Sequence, residues 1–206
     1  MAEVHFPIGI FLSFNSIMNI ESHPFTPFLP SNAKLLMLGT FPPAPKRWCM
    51  EFYYPNFTND MWRIMGISFF GDKQHFVDQT AKTYKLDEII DFLNERGIAM
   101  YDTCTRICRT KNTASDKDLE VVETTDLDTM LRQLPQCQAV ITAGQLATSL
   151  FCTHYRIAEP KVGDYSEFTL DNRTLRLYRM PSSSRAYPMK TELKAEAYNK
   201  VFEWLW

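Results

Sequence analysis

The side chains best suited to chemistry stand just after short apolar runs. Asp102 directly ends the run Ile98–Tyr101 (IAMY). A carboxylate there positions water or acts as a base, or else it caps a turn. Asn59 opens a helical pattern within Tyr53-Tyr54-Pro55-Asn56-Phe57-Thr58-Asn59-Asp60-Met61-Trp62. Capping is the natural role of an asparagine there. The same amide, with donors and acceptors, can also orient a water and bond a polar heterocycle. Of Tyr53, Tyr54, Phe57 and Trp62, at least half are expected in the core. One or two are candidates to stack on a base, a contact worth roughly 1–3 kcal/mol in nucleic-acid binding. Gly39-Thr40-Phe41-Pro42-Pro43 matches neither the P-loop nor the dinucleotide pattern, and by itself reads as a stiff turn. Ser182-Ser183-Ser184 has no histidine in an obvious partner position, and no Gly-x-Ser-x-Gly elbow is present. His5, His23, His75 and His154 are dispersed and read as surface or packing residues. His23, in Glu21-Ser22-His23-Pro24-Phe25, is the most interesting of them.

The elements that must hold these residues follow from hydrophobic periodicity. Lys34–Leu38, Ile98–Tyr101, Ala139–Thr142 and Thr174–Tyr178 are apolar runs too short for helices and bounded by turn signals. Helical spacing marks Asn59–Ile67, Leu86–Glu95, Asp126–Leu134, Gln145–Tyr155 and Thr191–Trp206. Alternating strands and helices predict an α/β domain with a parallel sheet covered on both faces. Ligands in such sheets sit beyond the carboxyl ends of the strands. Four segments should therefore meet in one crevice: Gly39–Pro43, Asp102-Thr103, Ala143–Gln145 and Met180–Arg185.

Composition bounds the reading. The chain has 206 residues, 45% of them hydrophobic, which suits one globular domain with a full core. A net charge of −2 excludes a polybasic nucleic-acid coat protein but not an enzyme with a local basic patch. Arg173–Lys190 holds Arg173, Arg176, Arg179, Arg185 and Lys190 and no acid; Arg106, Arg109 and Lys111 form a second group, Lys46 and Arg47 a third. These predict a basic rim around the crevice, with the acids gathered elsewhere, notably in Asp116–Asp128 and Asp87–Glu95. Five scattered cysteines, without a C-x-x-C pair, read as reduced, mostly buried thiols. Val4–Ile20 lacks charges but is interrupted by Pro7, Gly9 and several polar residues, so neither a signal peptide nor a membrane span is expected. Residues 1–17 are expected to be a poorly ordered extension and residues 18–206 the domain, cytoplasmic and monomeric.

Four motifs in order now carry a resemblance. They are Leu-Gly-Thr-Phe-Pro at residues 38–42, Tyr-Tyr-Pro-x-x-x-Asn-x-x-Trp at 53–62, Gly-Ile-x-x-Tyr-Asp at 97–102, and Met180-Pro181-Ser182-Ser183-Ser184. Together they resemble the uracil-DNA glycosylase superfamily, most closely its hypoxanthine-DNA (deoxyinosine) and mismatch-specific branch, over roughly Ile20 to Trp206. The resemblance implies a three-layer α/β/α sandwich with a four-stranded parallel central sheet. It implies hydrolysis of the N-glycosidic bond of a deaminated base flipped out of double- or single-stranded DNA, with no metal and no cofactor. Carried onto this chain, Asn59 and Asp102 are the catalytic pair. Gly39, Thr40, Phe41, Pro42, Tyr54 and Gly144 would hold the base, with Phe41 stacking on it. Ser182, Ser183, Ser184 and Arg185, with Arg106 and Arg109, would grip the DNA. The chain departs from the pattern at Pro43, where relatives usually carry Gly, at Met180, where uracil-removing enzymes carry His, and at Tyr187, where the deoxyinosine branch often has His.

Two rival readings have distinct signatures. A non-catalytic nucleic-acid-binding module of the same fold would bind lesion DNA without making an abasic site. A small-molecule α/β enzyme would bind a nucleotide-like ligand without steep salt dependence.

Overall fold

The structure, a computed structural model, describes residues 19–206 apart from 112 and 114; the extension expected over residues 1–17 lies outside the described residues. In chain order the elements are β1 (Ile20–Ser22), β2 (Leu35–Gly39), a 3-10 turn (Pro45–Arg47), α1 (Met61–Phe70), β3 (Val77–Asp78), β4 (Thr83–Tyr84), α2 (Leu86–Arg96), β5 (Ile98–Asp102), β6 (Cys104–Arg109), a second 3-10 turn (Asp116–Asp118), β7 (Leu119–Thr124), α3 (Leu127–Arg132), β8 (Ala139–Ala143), α4 (Gln145–Tyr155), β9 (Asp164–Leu170), β10 (Arg173–Met180) and α5 (Thr191–Leu205).

The central sheet runs β5-β2-β8-β10-β9. Its first four strands are parallel and are the four apolar runs of the sequence. Every residue of β2 and β5 is buried, so helices and loops cover both faces. Buried strands of this kind read as continuous apolar runs because neither face meets water. The expected four-stranded parallel sheet is corrected in one respect: β9 pairs antiparallel with β10 at the edge, making five strands and a mixed sheet. Its sequence DYSEFTL buries only Phe168 and Leu170, so it lacks the apolar signature of its neighbours. The β9–β10 hairpin turns over two residues, with Asp171 at φ 53°, a position Asp tolerates better than most.

A second sheet, antiparallel in the order β1-β6-β7, was not apparent in the sequence. β6 begins after a single residue beyond β5, and β1 pairs with it in the register Ser22↔Arg106 and Ile20↔Cys108. The strands are short and polar-edged, and their partners are distant in sequence. This sheet brings the N-terminal segment beside the end of β5.

The helices follow from local signals. α2 buries Ile89, Phe92 and Leu93, starts with Asp87 and Glu88, and stops at Gly97, whose φ of 66° is the left-handed cap that glycine takes without strain. α3 begins where Asp126 Oδ1 accepts the Thr129 N–H at 3.0 Å. α1 starts at Met61 rather than Asn59 and packs against α5. No described helix is long and apolar enough to cross a membrane.

Candidate active site

The four post-strand segments close on one cleft of about 1130 Å³ at the carboxyl end of the parallel strands. Gly39, Thr40, Phe41, Pro42, Tyr54, Asn59, Asp102, Arg109, Gly144, Ser182, Ser183, Ser184 and Arg185 all line it. Of the site residues that the resemblance assigned, Arg106 alone lies elsewhere: it faces Glu123 across the second sheet at 3.5 Å.

Asp102 is held from behind. His23 Nε2 lies 2.9 Å from its Oδ2, with the two side chains 3% and 9% exposed. The other ring nitrogen, Nδ1, sits 3.2 Å from Phe25 N and 2.9 Å from Phe25 O. A neutral ring accepts the Phe25 N–H at Nδ1, and a protonated ring donates to the Phe25 carbonyl. In both forms Nε2–H donates to Asp102. Phe41, Tyr101 and Phe25 pack around the imidazole, with ring centroids 5.2, 4.6 and 6.0 Å away. The expectation that His23 is a packing residue is therefore incomplete. Its partner is 79 residues away, brought close by β1 pairing with β6 and by the His23 N–H donating to the Thr105 carbonyl at 2.8 Å.

The other Asp102 oxygen overhangs Gly39. A Cβ on Gly39 would lie 2.4 Å from Asp102 Oδ1 and 3.8 Å from the Tyr54 hydroxyl. Only glycine admits this approach. Tyr54 itself is at φ 51°, in the left-handed region that a tyrosine rarely occupies. Its hydroxyl is buried and has no hydrogen-bond partner among the described residues. Burial, with the charges of Asp102 and Asp116 adding to it, pushes that phenol well above its ordinary value. A neutral hydroxyl and a carboxylate therefore converge above Gly39.

Asn59 serves the backbone as well as the cleft. Its Oδ1 accepts the Met61 N–H at 2.9 Å, so capping accounts for one end of the amide. Asp60 is buried between Lys194 Nζ at 3.0 Å and the Arg185 guanidinium at 3.6 Å. Its backbone N–H donates to the Ser183 carbonyl at 2.9 Å, and Lys194 Nζ donates to the Ser184 carbonyl at 2.8 Å. The Tyr198 hydroxyl donates to the Pro181 carbonyl at 3.2 Å. The serine loop is thus fastened from beneath to α1 and α5, leaving Arg185 58% exposed at its outer side. No signal in the sequence marked Lys194, which is fully buried on α5.

The charge map needs correcting. Asp116, counted among acids remote from the crevice, lines it: its Oδ2 accepts the Thr40 hydroxyl at 2.8 Å. Conversely, Arg173 bonds the Leu131 and Leu134 carbonyls at the opposite end of β10. Arg176 lies between the rings of Tyr165 and Trp204, 4.4 Å from each. Arg109 lines the cleft but makes a two-point bond with Glu21 at 3.0 and 3.1 Å. Arg179 lies 3.7 Å from Glu159. The basic rim is narrower than charge counting suggested. Among the described residues, no three His, Cys, Asp or Glu side chains gather as a metal-binding set.

Comparison with known proteins places the fold. No family model matches the chain, and no curated protein does. Among solved structures, the solution NMR structure of a candidate uracil DNA glycosylase from Methanosarcina acetivorans superposes with a TM-score of 0.61 over 90% of this chain and 98% of that one, at 19% sequence identity. The two share a fold of mixed α/β type.

Proposed function

We propose that the protein is a monofunctional DNA glycosylase. It would hydrolyse the N-glycosidic bond of a deaminated base, hypoxanthine or uracil, flipped out of DNA during base excision repair. The observation that carries this reading is the convergence of the Asp102 carboxylate and the Tyr54 hydroxyl above Gly39, on the floor of a cleft wide enough for a nucleoside. A base inside the helix cannot reach such a floor, so the nucleotide must be extruded. Phe41, at the cleft wall, offers a ring face for the extruded base. Asn59, with its carbonyl oxygen engaged by α1, offers the cleft its N–H₂ donors. Asp102, oriented by His23, takes the proton from a water attacking the sugar carbon. Ser182–Arg185 forms the outer lip, where backbone N–H groups and a guanidinium can meet phosphates. The solved relative in fold, described as a candidate uracil DNA glycosylase, supports the same chemistry class. We read the protein as a cytoplasmic monomer whose substrate is double- or single-stranded DNA.

A lesion panel tests this. Oligonucleotides containing hypoxanthine, uracil or xanthine are incubated with excess enzyme, and abasic sites are cleaved with alkali. D102N should slow single-turnover release by about 10²–10⁴-fold, the usual worth of a positioned base, with DNA affinity retained. N59A should also slow it. Release by D102N at the parent rate would overturn the role of Asp102. Binding by the parent protein without abasic product from any lesion would replace the glycosylase with the non-catalytic module.

A further inference from the structure

The cleft holds a second carboxyl that the chemistry above does not use. Asp116 belongs to the 3-10 turn between β6 and β7. Its Oδ2 accepts the Thr40 hydroxyl at 2.8 Å and lies 3.6 Å from the position a Cβ would take on Gly144. Thr40 follows β2 and Gly144 follows β8, the next strand in the sheet. Asp102 reaches Gly39 from β5, on the other side of β2. The two carboxyls therefore stand over opposite sides of one strand end. With neighbouring strands ~4.8 Å apart, they lie roughly 5–10 Å from each other. That is about the range in which a general acid and a general base flank a glycosidic carbon with a water between them.

We propose that Asp116 is the general acid for departure of the base, donating its proton to the leaving purine while Asp102 takes the proton of the attacking water. This rests on the glycosylase reading and names purines with a basic N7, such as hypoxanthine, as the substrate class. The atoms balance. The C1′–N9 bond breaks with its electron pair going to the base, and N7 takes the proton from Asp116. The water oxygen bonds to C1′ and gives its proton to Asp102. The products are a neutral purine and an abasic sugar hydroxyl, and the two carboxyls restore their starting states through solvent. Uracil has no N7, and its departure as an anion draws less on such an acid.

The surroundings of Asp116 suit the role. Burial raises its carboxyl above the ordinary value, and the charge of Asp102 on β5 acts in the same direction. The Thr40 hydroxyl and the Arg109 guanidinium on β6 pull it back. Lys117 of the same turn, Gln145 of α4 and Arg179 of β10 complete the polar lining on that side. A rate that needs Asp116 protonated falls as pH rises, which gives the profile an alkaline limb.

The experiment compares the parent protein with D116N and T40V on duplexes carrying hypoxanthine, 7-deazahypoxanthine or uracil, across pH about 4 to 9. D116N should release hypoxanthine about 100-fold more slowly and lose the alkaline limb. On 7-deazahypoxanthine, which has no N7 to protonate, D116N and parent should match within about twofold, and on uracil within about fivefold. T40V removes a hydrogen bond to the ionised carboxyl, so the alkaline limb should move to higher pH. D116N that keeps the alkaline limb, or slows 7-deazahypoxanthine as much as hypoxanthine, overturns the role. A T40V profile superimposable on the parent's does so independently of how D116N folds. A parent protein that releases no base at all defeats the glycosylase reading instead, and that result is distinct from either.

Discussion

At the scale of single residues, the proposed hydrolysis depends on how Asp102 is aimed. An isolated carboxylate at a strand end rotates and meets water from several sides. Here Oδ2 is fixed by His23 and Oδ1 is left over Gly39. His23 does not itself line the cleft but backs Asp102 and Phe41, which do, so on the proposed mechanism it is a positioning residue. Its removal should leave DNA affinity unchanged while slowing base release. H23L is expected to lower single-turnover release by about 10–100-fold, because Asp102 loses the hydrogen bond that fixes its orientation. H23Q keeps an N–H donor at similar reach and should recover much of the rate. Equal losses in H23L and H23Q would reduce His23 to packing. The motif containing His23 was visible in the sequence. Its partner was not, because nothing local ties residue 23 to residue 102.

At the scale of elements, the buried pair Asp60–Lys194 joins α1, α5 and the serine loop. Lys194 is wholly buried on an otherwise ordinary amphipathic helix, and its ammonium is satisfied by Asp60 and the Ser184 carbonyl. Deleting one member strips a buried charge of its nearest partner, leaving Lys194 with no acid or Asp60 with only the more distant Arg185. K194A or D60A should therefore cost about 3–5 kcal/mol in urea unfolding, whereas the double change D60L/K194M should cost far less. A loss under about 1 kcal/mol in both single variants would show that the pair is not a stabilising joint. The four parallel strands were legible because double-sided burial makes them apolar runs. α4 was legible at its start, since Gly144 turns the chain before it; at its other end Arg156 takes a left-handed φ of 53° that no residue type announces. β1, β6, β7 and β9 were not. Each is a polar or edge strand whose signal is its partner's backbone, not its own side chains.

At the scale of the whole molecule, a net charge of −2 matches a surface on which most cleft cations already have acids. Glu21 holds Arg109, Glu159 approaches Arg179 and Asp60 approaches Arg185. Among the described residues, Arg185 and Lys117 are the exposed cations lining the cleft, so on the glycosylase reading specific binding should neutralise about two phosphates. The slope of log affinity against log salt is then about −2. R185A should reduce its magnitude by about one unit and leave the preferred lesion unchanged. A slope steeper than about −5 would place the DNA on a broader surface than this cleft.

The amino-acid sequence by itself determined the parallel strands, the helices between them, and the convergence of their following loops on one crevice. Hydrophobic period and turn residues act over a few positions, and the rule for strand ends does the rest. The tertiary structure alone decided which polar groups face one another inside that crevice. It brought His23 behind Asp102 across 79 positions and Asp116 onto Thr40 across 76. It also turned Arg173 and Arg176 away. Those outcomes depend on how a second, antiparallel sheet pairs and where its connecting turn lands. Long-range pairing of that kind leaves no periodic trace in the chain, because each strand's register is specified by a neighbour folded from elsewhere.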